Sequence, residues 1–212
     1  MIGIVGGTGD FGRGLTKRLL HANYSVFIGS RSKEKGQRIA GEIAKEMGSS
    51  QVNGGSNEEA AKLEFVFITL PAASVIATVS ALKPLLANKI VVETCVNLRF
   101  GKFIKAVEDK DGKSTYEIIR EILDQSKVAS ALKTISAHKL LDLNIKLQDS
   151  DFVMSTSDEA YRFVEQIDER LGVKSFRVRG KFHAMTLERM TALAIQLNKE
   201  YNNSHFGYQV TQ

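Results

Sequence analysis

The sequence predicts a doubly wound α/β fold, a parallel β-sheet with helices packed on both faces. Three observations carry that prediction. Short apolar runs alternate with helix-period segments along most of the chain. The first apolar run leads into a glycine-rich turn and then an amphipathic segment, the order that a strand–turn–helix unit requires. Near residue 148 the pattern begins afresh. That restart predicts a larger domain over residues 1–147 and a smaller C-terminal α/β domain over 148–212.

The first unit is the most informative. The apolar run 2–5 precedes Gly6-Gly7-Thr8-Gly9-Asp10-Phe11-Gly12, in which Gly7, Gly9 and Gly12 satisfy G-x-G-x-x-G. With a strand before it and a helix expected over residues 11–21, this is the dinucleotide-binding turn of a Rossmann-type sheet. Gly7 permits the sharp turn out of the strand, and Gly9 admits a pyrophosphate close to the backbone. Gly12 lets the helix lie close on the strand. The pyrophosphate would rest on the free N–H groups at the helix start. The second strand, 24–29, ends in Ser30-Arg31. NAD-binding chains place Asp or Glu here for the ribose hydroxyls, whereas a hydroxyl and a guanidinium favour NADP. Thr8, Ser30, Arg31 and Lys35 can surround its 2′-phosphate. The plainer alternative is that Arg31 and Lys35 are ordinary surface charges.

A second helix is expected over 32–47, stopped by Gly48, and a short third strand over 51–53. Asn57 can cap a brief helix over 58–62, before a buried strand over 64–70. Pro71 is expected just inside the next helix, and 89–94 is the fifth strand. Residues 97–113 break the rhythm: glycine-containing, lysine-rich and long, they read as a lid or binding loop, or as a disordered excursion. Ser114-Thr115-Tyr116-Glu117 matches a capping box and starts a helix to residue 124. A strand over 127–132 and a short helix over 137–143 complete the larger part. Beyond it come a strand at 152–156, a helix at 158–171 stopped by Gly172, and a strand at 175–178. The last helix, 183–201, carries Leu187, Met190, Ala194, Leu197 and Tyr201 as one apolar stripe. That stripe packs on the smaller domain, or else forms a subunit contact or a wall of the cleft.

Composition narrows the function. The single Cys95 excludes a disulfide framework and a cysteine-based metal cluster, and it suits a reducing compartment. The chain starts at its first strand, and no apolar run approaches the roughly 20 residues that span a bilayer. A cytoplasmic protein without a membrane partner is expected. The net charge of +5 suits anionic small molecules. Its basic residues are dispersed among acids, which argues against nucleic acid. Neither H-E-x-x-H, paired cysteines nor G-x-S-x-G occurs, so no metal and no hydrolase of that type is indicated.

Ligands of open α/β sheets bind beyond the carboxyl ends of the strands. Thr69, Leu70 and Pro71 are therefore expected beside the ribose and nicotinamide, with Cys95 at the next strand end. Cys95 also has a simpler reading as a packed core thiol. The run from Ser130 to His138, which includes Lys133, Thr134, Ile135, Ser136 and Ala137, would let a flat ring approach the nicotinamide. His138 is the one catalytic candidate among the histidines; His21, His183 and His205 lie away from the expected cleft.

These segments together resemble the archaeal NADPH-dependent oxidoreductases of the deazaflavin coenzyme F420. The resemblance spans essentially the whole chain. It rests on Gly6 to Leu15, on Gly29-Ser30-Arg31 with Lys35, on Asn57-Glu58-Glu59-Ala60-Ala61 and on Thr69-Leu70-Pro71. Lys89-Ile90-Val91-Val92, Lys127-Val128-Ala129-Ser130-Ala131-Leu132, Thr134-Ile135 and Gly207 add to it. It implies reversible hydride transfer between NADP(H) and coenzyme F420, in which the coenzymes carry the chemistry. It further implies deazaflavin contacts from Lys133, Thr134, Ile135, Ser136 and Gly207, and a homodimer. Lys102, Lys105, Lys133 or Lys139 would offer counter-charge to the coenzyme's phosphate and polyglutamyl tail. The chain departs from the family in the deazaflavin half: Lys133 replaces a common histidine, Ser136 a proline, and Ala72-Ala73 an aromatic after Pro71. Glu93-Thr94-Cys95-Val96-Asn97 likewise replaces a proline-containing segment. Two other functions fit the nucleotide half. One is a dehydrogenase of the prephenate or arogenate type using His138; the other is an NADP(H)-binding redox sensor without turnover.

Overall fold

The computed structural model describes residues 1–211. Its strands are β1 (Ile2–Val5), β2 (Val26–Ser30), β3 (Val52–Ser56), β4 (Phe65–Ile68), β5 (Ile90–Glu93), β8 (Lys127–Ser130), β9 (Ser150–Ser155) and β10 (Lys174–Arg177). These eight form one sheet in the order β10-β9-β8-β5-β4-β1-β2-β3. Every pairing is parallel except β8 with β9. Strands β9 and β10, expected in the C-terminal part, thus extend the same sheet through that antiparallel pair. The chain runs outward from β1 to β3, then returns to β4 beside β1. The switch point between β1 and β4 is where this class of sheet opens a crevice.

The six inner strands are largely buried on both faces, which is why they read as short continuous apolar runs, whereas the edge strands β3 and β10 are partly exposed. Alternate residues divide between two cores. Ile4, Ile28, Phe67 and Val92 pack under α1 (Asp10–His21), α2 (Lys33–Met47), α6 (Ala137–Leu141) and α7 (Asp158–Leu171). Val5, Val66, Ile68 and Val91 pack under α3 (Asn57–Ala61), α4 (Ala72–Leu86), α5 (Thr115–Ile122) and α8 (His183–Glu200). Two of the expected glycine stops hold: Gly48 and Gly172 end their helices at φ 59° and 79°, in the left-handed region. The capping box at Ser114 and Glu117 is present as well.

Several local expectations are corrected. Ser56, not Asn57, caps α3; its hydroxyl accepts the Glu59 N–H while the Glu59 carboxylate accepts the Ser56 N–H. Asn57 serves the glycine turn instead, its Oδ1 accepting the Gly6 N–H at 3.0 Å. Pro71 is the N-cap of α4 rather than its first turn, because its ψ of 147° is extended. Within residues 97–113 lies a small antiparallel hairpin, β6 (Leu98–Arg99) and β7 (Lys105–Ala106), too short for a hydropathy signal. It is held on α8, where Gln196 Oε1 accepts the Ile104 N–H at 2.8 Å. The α8 stripe is buried at Leu187 and Ala194, but Tyr201, the C-cap just beyond the helix, is 68% exposed.

A Cβ added at Gly12 would lie 2.6 Å from the Gly7 Cα, and backbone cannot yield as a side-chain tip would. Gly12→Ala is expected to lower stability by about 1–3 kcal/mol. Gly41 in α2 faces open space, so Gly41→Ala should raise stability by about 0.5–1 kcal/mol through helix propensity. Denaturant unfolding of both variants beside the parent checks the pair; equal effects would contradict the close approach of α1 to the turn.

Candidate coenzyme site

The carboxyl ends of β1, β2, β4 and β5 open into a cavity of about 1130 Å³. One end is built from the glycine turn and the start of α2. Gly6 sits at φ 78°, a conformation open to glycine without strain, and helix α1 then begins at Gly9 with no side-chain cap. Its first-turn N–H groups are thereby left for an anion, and Gly9, Asp10 and Phe11 line the cavity. Helix α2 is capped by the Ser32 hydroxyl. Arg31 and Lys35 are exposed, line the cavity and make no salt bridge among the described residues. Their neighbours Lys33 and Arg38 are paired, with Glu59 and Glu42. Ser30 is buried beside Arg31.

The middle of the cavity is bordered by the stitched strand ends. Thr69 donates both its N–H and its hydroxyl to the Val5 carbonyl, and Thr94 does the same to Ile68. Leu70, Pro71 and Cys95 line the cavity with them. The Cys95 thiol is buried, and desolvation pushes its pKa up to about 12, which keeps it neutral and unreactive.

Behind this border lies a buried ion triad. The Lys133 ammonium is 2.9 Å from both Glu93 and Glu188 and donates to the Cys95 carbonyl at 2.8 Å. Burial pulls the ammonium down, but the charges and hydrogen bonds of the two carboxylates outweigh it and hold Lys133 above the ordinary lysine value. Burial pushes Glu93 up, and Lys133 offsets part of that. Glu188 also accepts the N–H and hydroxyl of Thr115, at 2.9 and 3.1 Å. Lys133 therefore lines the cavity with its donors spent, and its expected role as counter-charge to a bound coenzyme is corrected. Lys139 is likewise taken, by Asp149 at 2.8 Å. Lys102 and Lys105 do not line the cavity.

The far end is lined by Thr134, Ile135, Ser136, Ala137 and His138. The Thr134 hydroxyl is buried there with no hydrogen-bond partner. Ser136 caps α6 and donates to the Ser204 carbonyl at 2.6 Å, which commits its side chain to the scaffold. His138 is exposed at the rim. Opposite, Thr191, Ala194, Ile195 and Asn198 of α8 form a wall with Asn203 and Phe206 of the C-terminal segment. Asn198 Oδ1 accepts the Phe206 N–H at 2.9 Å, which ties that segment to the helix.

Of the expected site residues, Gly7, Gly12 and Gly207 do not line the cavity. Gly7 and Gly12 shape the turn, and a Cβ at Gly207 would collide with Asp149. Gly6, Thr8 and the others named above do line it. Asn57, Asn198 and Phe206 were not expected there. The apolar stripe of α8 pointed to a cleft wall, but no spacing rule singles out an asparagine.

Lys133→Met would leave two buried carboxylates without their cation, and a loss of about 3–5 kcal/mol in unfolding free energy is expected. Carboxyls whose folded pKa is raised lose stability as pH rises through that value. The deficit should therefore shrink toward acid pH. Urea unfolding at several pH values checks both statements; a pH-independent deficit would contradict the second.

Comparison with known proteins then gives the chain its relatives. Residues 1–97 match the family described as NADP oxidoreductase, coenzyme F420-dependent. The F420-dependent NADP reductase of Methanocaldococcus jannaschii is 33% identical over 219 residues, covering 99% of this chain and 97% of that protein. The Methanothermobacter marburgensis reductase is 30% identical over 218 residues, with 99% and 97% covered. A crystal structure from Arthrobacter sp. FB24 superposes with a TM-score of 0.84 at 22% identity, covering 100% and 99% of the two chains. Plasmodium falciparum pyrroline carboxylate reductase shares the fold at TM-score 0.60 and 16% identity, with 95% of this chain and 63% of that one covered. Full-length identity to the archaeal enzymes shows that the chain belongs to the family of F420-dependent NADP reductases.

Proposed function

We propose that the chain transfers a hydride between NADP(H) and the deazaflavin coenzyme F420, and that the two bind end to end in the cavity. The observation that supports this reading is the continuity of the cavity. One space runs from the uncapped α1 start and the unpaired Arg31 and Lys35 to the orphan Thr134 hydroxyl and the α8 wall. The coenzymes supply the hydride donor and acceptor, so the protein needs to bind, align and exclude water.

Each group of residues then has its task. The first turn of α1 holds the pyrophosphate, while Ser30, Arg31 and Lys35 hold the 2′-phosphate. Thr69 to Pro71 and Cys95 border the nicotinamide end. The Thr134 hydroxyl donates to, or accepts from, a polar edge of the deazaflavin, and Ile135 and Ile195 keep water from the ring faces. In this reading residues 1–147 are the nucleotide unit and 148–212 supply the second wall. The dehydrogenase alternative loses its support at His138, which is exposed; among the described residues no carboxylate pairs with it. A homodimer is part of the proposal. Phe100, Phe103 and Leu193 are 69%, 55% and 51% exposed where the hairpin rests on α8, an apolar face that a second copy would cover. A cytoplasmic location belongs to the same reading, supported by the single unpaired Cys95.

Mixing the protein with NADPH and oxidised F420 should give spectrophotometric turnover, and His138→Asn should leave it near the parent rate. No turnover would favour a nucleotide-binding sensor. Arg31→Ala should weaken NADPH binding by about 1.5–3 kcal/mol and NADH hardly at all. Equal effects in a fluorescence titration would show that Arg31 does not read the 2′-phosphate.

A further inference from the structure

Two carboxyl groups outside the coenzyme contacts are placed as a pair. Asp151 on β9 and Asp168 on α7 are 1% and 0% exposed. Asp151 Oδ1 accepts the Leu132 N–H at 2.8 Å, and Asp168 Oδ2 accepts the Ser175 hydroxyl of β10. The remaining oxygens, Asp151 Oδ2 and Asp168 Oδ1, are buried and have no donor among the described residues. Ser175, whose hydroxyl Asp168 accepts, is the register partner of Asp151 across β9 and β10, which brings the two carboxyls and their orphan oxygens together. Two carboxylates only accept, so these orphan oxygens can satisfy one another only with a proton between them.

Among the described residues no salt bridge reaches either carboxyl. Nearby, Arg177 of β10 pairs with Asp158, the Arg170 guanidinium of α7 lies over the Tyr24 ring, and the Lys174 ammonium of β10 lies over Phe176. Lys133, next to Leu132, is taken by Glu93 and Glu188. From α7, Glu165 adds repulsion and Tyr161 a neutral phenol; from β9, the Phe152 N–H favours the charged form of Asp151. Burial pushes Asp151 up to about 6, and burial with the Asp151 charge pushes Asp168 well above the ordinary carboxylate value.

The carboxyl that Asp168 supports has a functional address. Leu132 sits at φ 57°, strained for a branched residue, and it opens the turn that carries Lys133 to His138 along the cavity. We propose that Asp168, protonated, donates to Asp151, and that Asp151 thereby positions the Leu132 turn for the second coenzyme. Both are positioning residues and neither touches a coenzyme. The functional arm of the proposal rests on the reading that this turn borders the deazaflavin; the proton-sharing arm does not.

Asp168→Asn tests both arms, because the amide keeps a donor for Asp151 and an acceptor for Ser175 but cannot ionise. An acid whose folded pKa is raised contributes stability that is complete below its unfolded value and is lost as pH rises toward the folded one. As pH rises above the unfolded aspartate value of about 4, the parent's Tm should therefore fall relative to that of Asp168→Asn. Parallel Tm curves would overturn the shared proton whatever the coenzyme is. In the parent, KM for oxidised F420 should rise as the pair loses its proton, whereas in Asp168→Asn it should stay level. Asp151→Ala, which strands the Leu132 N–H, should raise that KM about tenfold while KM for NADPH stays within about twofold. If Asp151→Ala does not fold, the pH dependence of KM in the parent and Asp168→Asn decides the positioning role by itself. An F420 KM that changes equally with pH in both proteins would overturn it. Absence of F420 turnover in every protein, with diverging Tm curves, would instead sink the choice of coenzyme and leave the proton pair standing.

Discussion

The cavity depends on one buried interaction, the Lys133 ammonium held between Glu93 and Glu188. Glu93 ends β5, Lys133 follows β8, Glu188 lies in α8, and Thr115 at the start of α5 donates twice to Glu188. The Thr191 hydroxyl adds a bond to the Lys133 carbonyl. β5, the end of β8, α8 and α5 are thus tied at one point. Two carboxylates and one ammonium are costly to bury, and the contacts of Lys133 with Glu93, Glu188 and Cys95 and the Thr115 bonds to Glu188 offset part of that cost. In return the geometry is specified. An apolar core would hold α8 against the sheet without setting how far its cavity-facing residues stand from the strand ends.

Charges in this chain divide into two groups by that logic. Lys133 and Lys139 are paired with buried carboxylates and shape the scaffold. Arg31 and Lys35 stand unpaired at the cavity edge, where an incoming anion finds donors already free of competition. Helix starts divide in the same way. Ser32, Ser56, Ser114, Ser136 and Ser157 cap α2, α3, α5, α6 and α7, while α1, α4 and α8 have no side-chain cap, and of these α1 begins at the glycine turn that lines the cavity. A phosphate-bearing ligand completes what the chain leaves unsatisfied.

Most of the architecture was legible in order along the chain, because the inner strands are largely buried on both faces and the longer helices show their period, with glycine stops at α2 and α7. Gly48, Gly172 and the Ser114 box work through bonds within a few residues, so local sequence reports them. The nucleotide half of the site was legible for the same reason: the turn at Gly6 to Gly12 and Ser30-Arg31 act within one strand–helix–strand unit. The second half was not. Asn57 reaches 51 residues back to Gly6, Lys133 reaches 38 residues to Cys95, and Asn198 holds Phe206 through a turn with no hydropathy signature.

By itself, then, the sequence determined a doubly wound sheet, a dinucleotide turn, a preference for a 2′-phosphate and a resemblance in which a deazaflavin is the partner. Tertiary structure decided which polar groups are committed to the scaffold. It spent Lys133 and Ser136 on the scaffold and left the Thr134 hydroxyl unpartnered at the cavity. The reason is physical: whether a polar side chain is free depends on what lies within about 3 Å of it, and those neighbours come from distant parts of the chain.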